Sequence, residues 1–352
     1  MMQFVLKAYG IDDDADVTPY GTGLINHTWK IVTGGKEYIL QRVNENVFKA
    51  PENIAHNIRL IADYLKQHHP DYCFAAPIAS SDGKEMFYLK DEGFFRMFPF
   101  IPCSHSKDVV QIPEQAFEGA SQFGKFTRLL SGFDVSQLKI TIPDFHNLDL
   151  RYRQFCSALQ EGNKQRIHES QDLIKQLNGH AAIVSEYNQL KQNPHFKLRI
   201  THHDTKISNV LFASNDKGIC VIDLDTAMPG YFISDVGDMI RTYVSPVSEE
   251  EADFEKIVVR EEFYKAIVQG YYNEMKGELT GQEQDHFFYA GKFMIYMQAL
   301  RFLTDYLNND MYYGAKYNGQ NFIRAKNQAV LLERLIEKEK LFTGKQQCEV
   351  KK

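Results

Sequence analysis

One stretch constrains this chain more than any other. Thr201-His202-His203-Asp204-Thr205-Lys206-Ile207-Ser208-Asn209 is followed, after a short spacer, by Cys220-Val221-Ile222-Asp223-Leu224-Asp225. The first part reads H-x-D-x-x-x-x-N and the second is an apolar strand ending in I-D. Between them, residues 209–213 and 218–222 predict a hairpin around Asn215-Asp216-Lys217-Gly218. This loop and hairpin must be framed by the flanks, and the two flanks differ.

Upstream the pattern is β-rich. A short helix over residues 3–9 precedes strands at Val17–Tyr20, Thr28–Val32 and Tyr38–Val43. Gly34-Gly35 between the last two marks a tight hairpin, because glycine takes positive φ freely. Pro51 opens a helix with Ile54, Ile58, Ile61 and Leu65 at helical spacing. Strands are then expected at Pro77–Ala79, Glu85–Leu89 and Gly93–Ile101. After Pro113 the chain turns helical, through residues 114–131, Leu148–Gln160, Lys164–Leu177 and Ala181–Gln192. Helices resume from Asp235, near 250–276, 282–308 and 321–340. The expected fold is α+β and two-lobed. A β-rich, nucleotide-binding lobe spans residues 1–102, and a helical lobe with the catalytic loop and acceptor pocket spans 103–352. The expected hinge is Phe95–Ser104, with the cleft where the lobes meet.

Composition excludes several classes. Apolar residues make up 43% and charged residues 24%, an ordinary globular balance. Forty Lys and Arg against 46 Asp and Glu give a net charge of −6, which argues against a nucleic-acid surface. No apolar run is long enough to span a bilayer, and Met1 to Asp14 lacks the pattern of a signal peptide. The five cysteines are scattered without a C-x-x-C pair. Reduced thiols in a cytoplasm are expected rather than a disulfide framework or zinc site. Neither nucleic acid nor membrane is an expected partner, and a monomer is expected.

The loop carries the chemistry of phosphoryl transfer to a hydroxyl. That reaction needs a carboxylate near the acceptor proton and dense positive charge around the moving phosphate. Asp204 is positioned to orient and deprotonate the acceptor. The amide oxygen of Asn209 and the carboxylate of Asp223, at a strand terminus, are hard donors suited to Mg²⁺. His202 braces the loop through backbone hydrogen bonds. Lys206 either neutralises the transferred phosphate or is a solvated loop lysine. Asp225 either helps to hold metal or substrate or shapes the loop. Asp235 reads as structural support, a helix-start residue anchoring the loop, and Asp238 with Arg241 as an i,i+3 pair.

Candidates for the nucleotide site lie upstream. Gly21-Thr22-Gly23, between two strands, lets backbone N–H groups approach phosphates. It is neither a Walker loop nor a dinucleotide fingerprint. The third strand, Tyr38-Ile39-Leu40-Gln41-Arg42-Val43, lacks the lysine that a kinase places there. Alternation puts Gln41 and Arg42 on opposite faces, and either can occupy that position, with Glu52 as a possible partner. Adenine is expected against the apolar hinge at Met97, Phe98 and Phe100.

With these motifs in place, the chain resembles the aminoglycoside phosphotransferase and choline kinase superfamily over nearly its whole length. The resemblance rests on His202–Asn209 and Ile222-Asp223. It implies a protein-kinase-like fold, ATP and Mg²⁺, and a small-molecule hydroxyl as acceptor. No A-P-E segment follows Asp223, and the loop reads H-H-D rather than H-R-D, both unlike protein kinases. Further stretches are similar to the branch of that superfamily that phosphorylates N-acetylhexosamines at the anomeric hydroxyl. They are Gly21–Thr28, Tyr38–Asn44, Pro143–His146, Val221–Thr226 and Arg301–Leu307. This implies a sugar pocket at the helical end, with Arg301, Asp310, Tyr312 and Tyr313 as its residues. The rivals are another small-molecule kinase, acting on choline, homoserine, a methylthio-sugar or an aminoglycoside, and a catalytically dead nucleotide-binding scaffold.

Overall fold

The computed structural model describes residues 1–12, 14–21 and 25–349, with side chains as far as residue 344. Helices α1 (Met2–Ala8) and α2 (Pro51–His68) accompany strands β1 (Asp16–Pro19), β2 (His27–Thr33), β3 (Lys36–Arg42), β4 (Phe87–Leu89), β5 (Gly93–Pro99) and β6 (Ser104–His105). Helices α3 (Pro113–Leu129), α4 (Leu148–Glu161), α5 (Lys164–Glu169), α6 (Gln171–Gly179) and α7 (Ala182–Gln192) follow. Strands β7 (Arg199–Thr201), β8 (Val210–Ala213) and β9 (Gly218–Val221) lead to α8 (Phe232–Tyr243), α9 (Glu261–Met275) and α10 (Gly281–Gln284). The last helices are α11 (Phe287–Leu307), α12 (Gln320–Ile336) and α13 (Glu339–Glu349). Among the described residues no helix is long and apolar enough to cross a membrane.

The chain forms two compact units. The first comprises residues 1–106, 129–143 and 209–229, and the second 107–128, 144–208 and Gly230 onward. In the first, a five-stranded antiparallel sheet has the order β1-β2-β3-β5-β4. The β2–β3 turn works because Gly34 and Gly35 both sit at positive φ, 53° and 74°, which matches the twist of paired strands. Period-2 alternation then sorts the side chains. Ile31, Leu40, Phe95 and Met97 pack with Val5, Leu6 and Ile11. The opposite face carries the cross-strand rows Thr28–Gln41–Arg96 and Lys30–Ile39–Phe98. Strands β6, β8 and β9 form a second, three-stranded sheet. Helix α2 buries Ile54, Ile58, Ile61 and Leu65, and its buried Asn57 donates to the carbonyls of Lys139 and Ala227 at 2.8 and 3.0 Å.

The second unit is built around α11, which is buried on nearly every side, as expected of a helix that is apolar all round. Helix α8 lies close against it because Gly237 and Gly291 keep the approach open. A Cβ at Gly237 would strike the Ala290 carbonyl, and one at Gly291 would press on Ile240.

Three expectations are corrected. Pro77–Ala79 is no strand, only a bridge between Ile78 and Met97, since Pro77 has no N–H to give a ladder. The helix expected over Lys164–Leu177 divides at Ser170 into α5 and α6. The one expected near 250–276 begins only at Glu261, after a single turn at Phe254–Lys256. The β-branched run Ile257-Val258-Val259 between them favours extended backbone.

Candidate active site

In the second unit β7 runs into the loop that carries Asp204. The first two turns of α8 hold this loop by its backbone. Asp235, wholly buried, accepts from the N–H of His202 at 3.0 Å and of His203 at 2.8 Å. Asp238 accepts from Thr205 N–H at 2.9 Å, and the Tyr243 hydroxyl donates to the Thr205 carbonyl at 2.6 Å. Acceptors at a helix N-terminus are favoured by the helix dipole as well. Burial pushes the Asp235 carboxyl up to about 6, against the pull of His202 and its two N–H donors. Burial raises Asp238 too, opposed chiefly by Arg241, which bonds it at 3.0 Å.

The imidazole of His202 is buried edge-on to Phe123 and Phe126, and its Nδ1 lies 3.4 Å from Asp204 N. His203 takes positive φ, 65°. Its ring bonds Thr201 Oγ1 at 2.8 Å and meets His146 Nδ1 at 3.4 Å. Burial, with His203 and Arg301 nearby, drives the His146 imidazole well below its ordinary value. Asp204 itself is partly exposed, with Lys206 Nζ at 2.9 Å from its Oδ2. That exposure leaves the carboxylate within reach of an acceptor hydroxyl.

The first unit holds Asn209 and Asp223. The Asn209 carbonyl accepts from Ile222 N–H at 2.9 Å, which ties the start of the β8–β9 hairpin to its end. Asp223 has left-handed backbone, φ 61° and ψ 60°, a conformation that Asp tolerates better than most residues. It turns the chain into the one-turn helix Leu224–Thr226. Asp225, buried in that turn, accepts from Asn26 Nδ2 at 2.8 Å and pairs with Arg96 Nη1. The donor set of Asn209 and Asp223, one amide and one carboxylate, is all hard oxygen. Among the described residues no three His, Cys, Asp or Glu cluster, and Mg²⁺ is typically held by one or two carboxylates plus substrate phosphates. The set therefore fits Mg²⁺.

The remaining candidates divide. Gly21 has positive φ, 77°, while Thr22 and Gly23 lie outside the described residues. Gln41, Phe98 and Arg96 share one sheet face. Alternation carries Arg42 and Met97 to the other: Arg42 pairs with Glu92 at 3.1 Å, and Met97 belongs to the core with Val5 and Leu6. Phe100 sits under Lys30 Nζ at 4.2 Å. Glu52 is exposed in the first turn of α2.

In the second unit a cavity of about 330 Å³ is lined by residues of α4, of α11 and of the following segment, Arg301, Tyr312 and Tyr313 among them. The Arg301 guanidinium lies 5.4 to 5.9 Å from the rings of Phe145, Tyr312 and Tyr313. Asp310 is instead bonded to Arg166 at 2.6 Å and Asn321 at 2.9 Å. Asp305 lines the cavity in its place, accepting from the N–H groups of Tyr312 and Tyr313 at 2.7 and 2.9 Å. Three cavity-lining residues keep buried polar atoms without a hydrogen bond: Arg151 Nε, Thr304 Oγ1 and Tyr313 Oη.

Sequence reading missed Arg96, Arg151 and Asp305. For Arg96 and Asp305 the signal was available: a lone charge in Phe94-Phe95-Arg96-Met97-Phe98 and another in the apolar face of α11.

Comparison with known proteins bears on the fold and the family. An aminoglycoside phosphotransferase from Alicyclobacillus acidocaldarius is 14% identical, with 96% of this chain and 95% of that chain covered and a TM-score of 0.61. Amicoumacin kinase, solved with AMP-PNP, Ca²⁺ and its antibiotic, is 15% identical over 95% of this chain and 92% of that one, TM-score 0.63. A choline kinase from Cryptosporidium parvum is 14% identical over 97% and 96%, TM-score 0.56. These likenesses show the fold, a small antiparallel-sheet part and a large helical part as in kinase-like phosphotransferases. The model of the phosphotransferase enzyme family, APH, matches residues 16–276, and with that match over most of its length the chain belongs to this family of small-molecule phosphotransferases.

Proposed function

We propose that the chain transfers the terminal phosphoryl group of ATP, with Mg²⁺, to the anomeric hydroxyl of an N-acetylhexosamine. Family membership supports phosphoryl transfer, and the AMP-PNP complex of the similar amicoumacin kinase supports ATP as donor. Asp204 takes the acceptor proton as the acceptor oxygen bonds to phosphorus and the bond to ADP breaks. Lys206 neutralises charge on the group in transit. Asn209 and Asp223 would hold Mg²⁺, which would screen the phosphate charges.

The observation that carries the acceptor reading is the lining of the cavity, where Arg151, Gln154, Arg301 and Asn308 accompany Tyr312 and Tyr313. Charged and amide groups of this kind suit the hydroxyls of a polyol, and Tyr312, 72% exposed, offers a ring for an apolar sugar face. Arg151 and Arg301 both line the cavity, which disfavours a cationic acceptor such as choline. Of the two acids in the lining, Asp305 is already bonded by Tyr312, Tyr313 and Asn321, and Glu161 accepts from Ser157 at 3.2 Å.

The test is ATP consumption with N-acetylglucosamine, N-acetylgalactosamine, the 1-deoxy sugar, choline and kanamycin. Turnover with the N-acetylhexosamines and none with the 1-deoxy analogue is expected. Turnover retained on the 1-deoxy sugar excludes the anomeric hydroxyl, and a preference for choline or kanamycin overturns the sugar reading.

A further inference from the structure

Phosphoryl transfer gathers negative charge on the nucleotide, and a kinase-type sheet normally answers it with a cation on the third strand. In this chain β3 presents Gln41 there, and its Arg42 points to the other face. The neighbouring strand supplies a cation instead. Arg96 of β5 stands directly opposite Gln41 in register and is only 1% exposed. Its Nε and Nη2 both donate to Gln41 Oε1, at 3.0 and 2.8 Å. Gln41 in turn donates to Thr28 Oγ1 at 3.3 Å, so the amide is fixed as an acceptor.

The rest of the guanidinium faces Asp225, and Arg96 Nη1 and Asp225 Oδ1 meet as a buried ion pair. Asp225 lies two residues beyond Asp223, and Asn26 holds its second oxygen. A buried arginine kept only for packing would have no reason to face this turn, since apolar residues commonly replace buried ion pairs without loss. Lys30, the other cation of this face, is committed to Glu37 at 2.7 Å.

We propose that Arg96 is the cation that binds the nucleotide phosphates, oriented by Gln41 and by its ion pair with Asp225. This rests on the ATP reading above. It makes β5 the source of the charge that β3 lacks, and the guanidinium fork suits phosphate better than a point charge does.

The test is equilibrium binding of ADP and of adenosine by calorimetry, without acceptor and with a chelator, so that metal ligation plays no part. The variants are Arg96→Met and the charge-balanced Arg96→Met/Asp225→Asn, the latter guarding against misfolding around an uncompensated carboxylate. Wild-type protein is expected to prefer ADP over adenosine. Both variants are expected to lose ADP affinity at least tenfold while adenosine affinity stays within about twofold. A folded variant that keeps the wild-type preference for ADP, or loses both ligands equally, overturns the role of Arg96 alone. Wild-type protein that binds no adenine nucleotide overturns the ATP reading and this assignment with it.

Discussion

Asp204 and Asp235 are carboxylates of the same unit, and burial gives them different work. Asp204 keeps contact with solvent and Lys206, so it stays available to a proton. Asp235 is sealed in and spends both oxygens on backbone N–H groups. Replacing Asp204 with Ala should lower kcat by about 10²–10⁴-fold, the usual worth of a general base, while ADP binding stays at the wild-type level. Steady-state kinetics and calorimetry together check this, and wild-type turnover in the variant would sink the assignment. Gly230 makes a second residue-scale prediction. A Cβ there would collide with Thr201 Oγ1 and the ring of His203, which are hydrogen-bonded to each other in the loop's approach. Gly230→Ala should destabilise the fold by about 1–3 kcal/mol and reduce turnover, read by urea unfolding and kinetics. The spacing of Asp204, Asn209 and Asp223 is a property of the sequence, and their roles are proposed from it. The partners of Arg96, Arg151 and Asp305 are not, because register and packing supply them, although lone charges in apolar runs marked Arg96 and Asp305.

Helix α8 is the element that makes the loop rigid. Its first two turns present Asp235 and Asp238 to the backbone N–H groups of His202, His203 and Thr205. The raised Asp235 carboxyl sets a pH signature. The folded chain holds this proton more tightly than the unfolded chain, from an ordinary value of 3.8 up to about 6. The stability linked to it is fully present below 3.8 and is lost as pH rises through about 6. Activity should run the other way, rising through the same window as the carboxylate forms and grips both N–H groups. Asp235→Asn, left with one acceptor oxygen, should remove this contribution to both profiles and cost about 1–3 kcal/mol at neutral pH. Urea midpoints and kcat measured from about pH 4 to 7 test it, and a variant whose profiles overlay the wild type refutes it. Element existence was legible where periodicity was strong, as for β2, β3 and α2. The extended run at 257–259 was not separated from helix, because its apolar content satisfies either period over so short a span.

Across the helical unit a polar relay joins the catalytic loop to the cavity wall. Thr205 N–H bonds Asp238, which bonds Arg241, and Arg241 reaches Glu249 at 2.7 Å. Glu249 also pairs with Arg324, which donates to Asn321 at 3.1 Å, and Asn321 donates to Asp305 at 3.1 Å. Asp305 holds the backbone of Tyr312 and Tyr313. Removing the shared carboxylate leaves two arginines facing each other. Glu249→Ala should therefore raise the acceptor KM and lower kcat with nucleotide affinity unchanged, and lower Tm by about 2–4 °C for each kcal/mol lost. An unchanged acceptor KM in a destabilised variant would make the relay structural only. By itself the sequence determined the α+β class and marked the loop of Asp204 by its spacing, because spacing and hydrophobic period are properties of neighbouring residues. Only the tertiary structure decided that Arg96 faces Asp225, that Asp235 is buried beneath His202, and that Arg151 and Asp305 meet at one cavity. Those pairings join residues far apart in the chain, and strand register and helix packing, set by the burial of the whole core, bring them together.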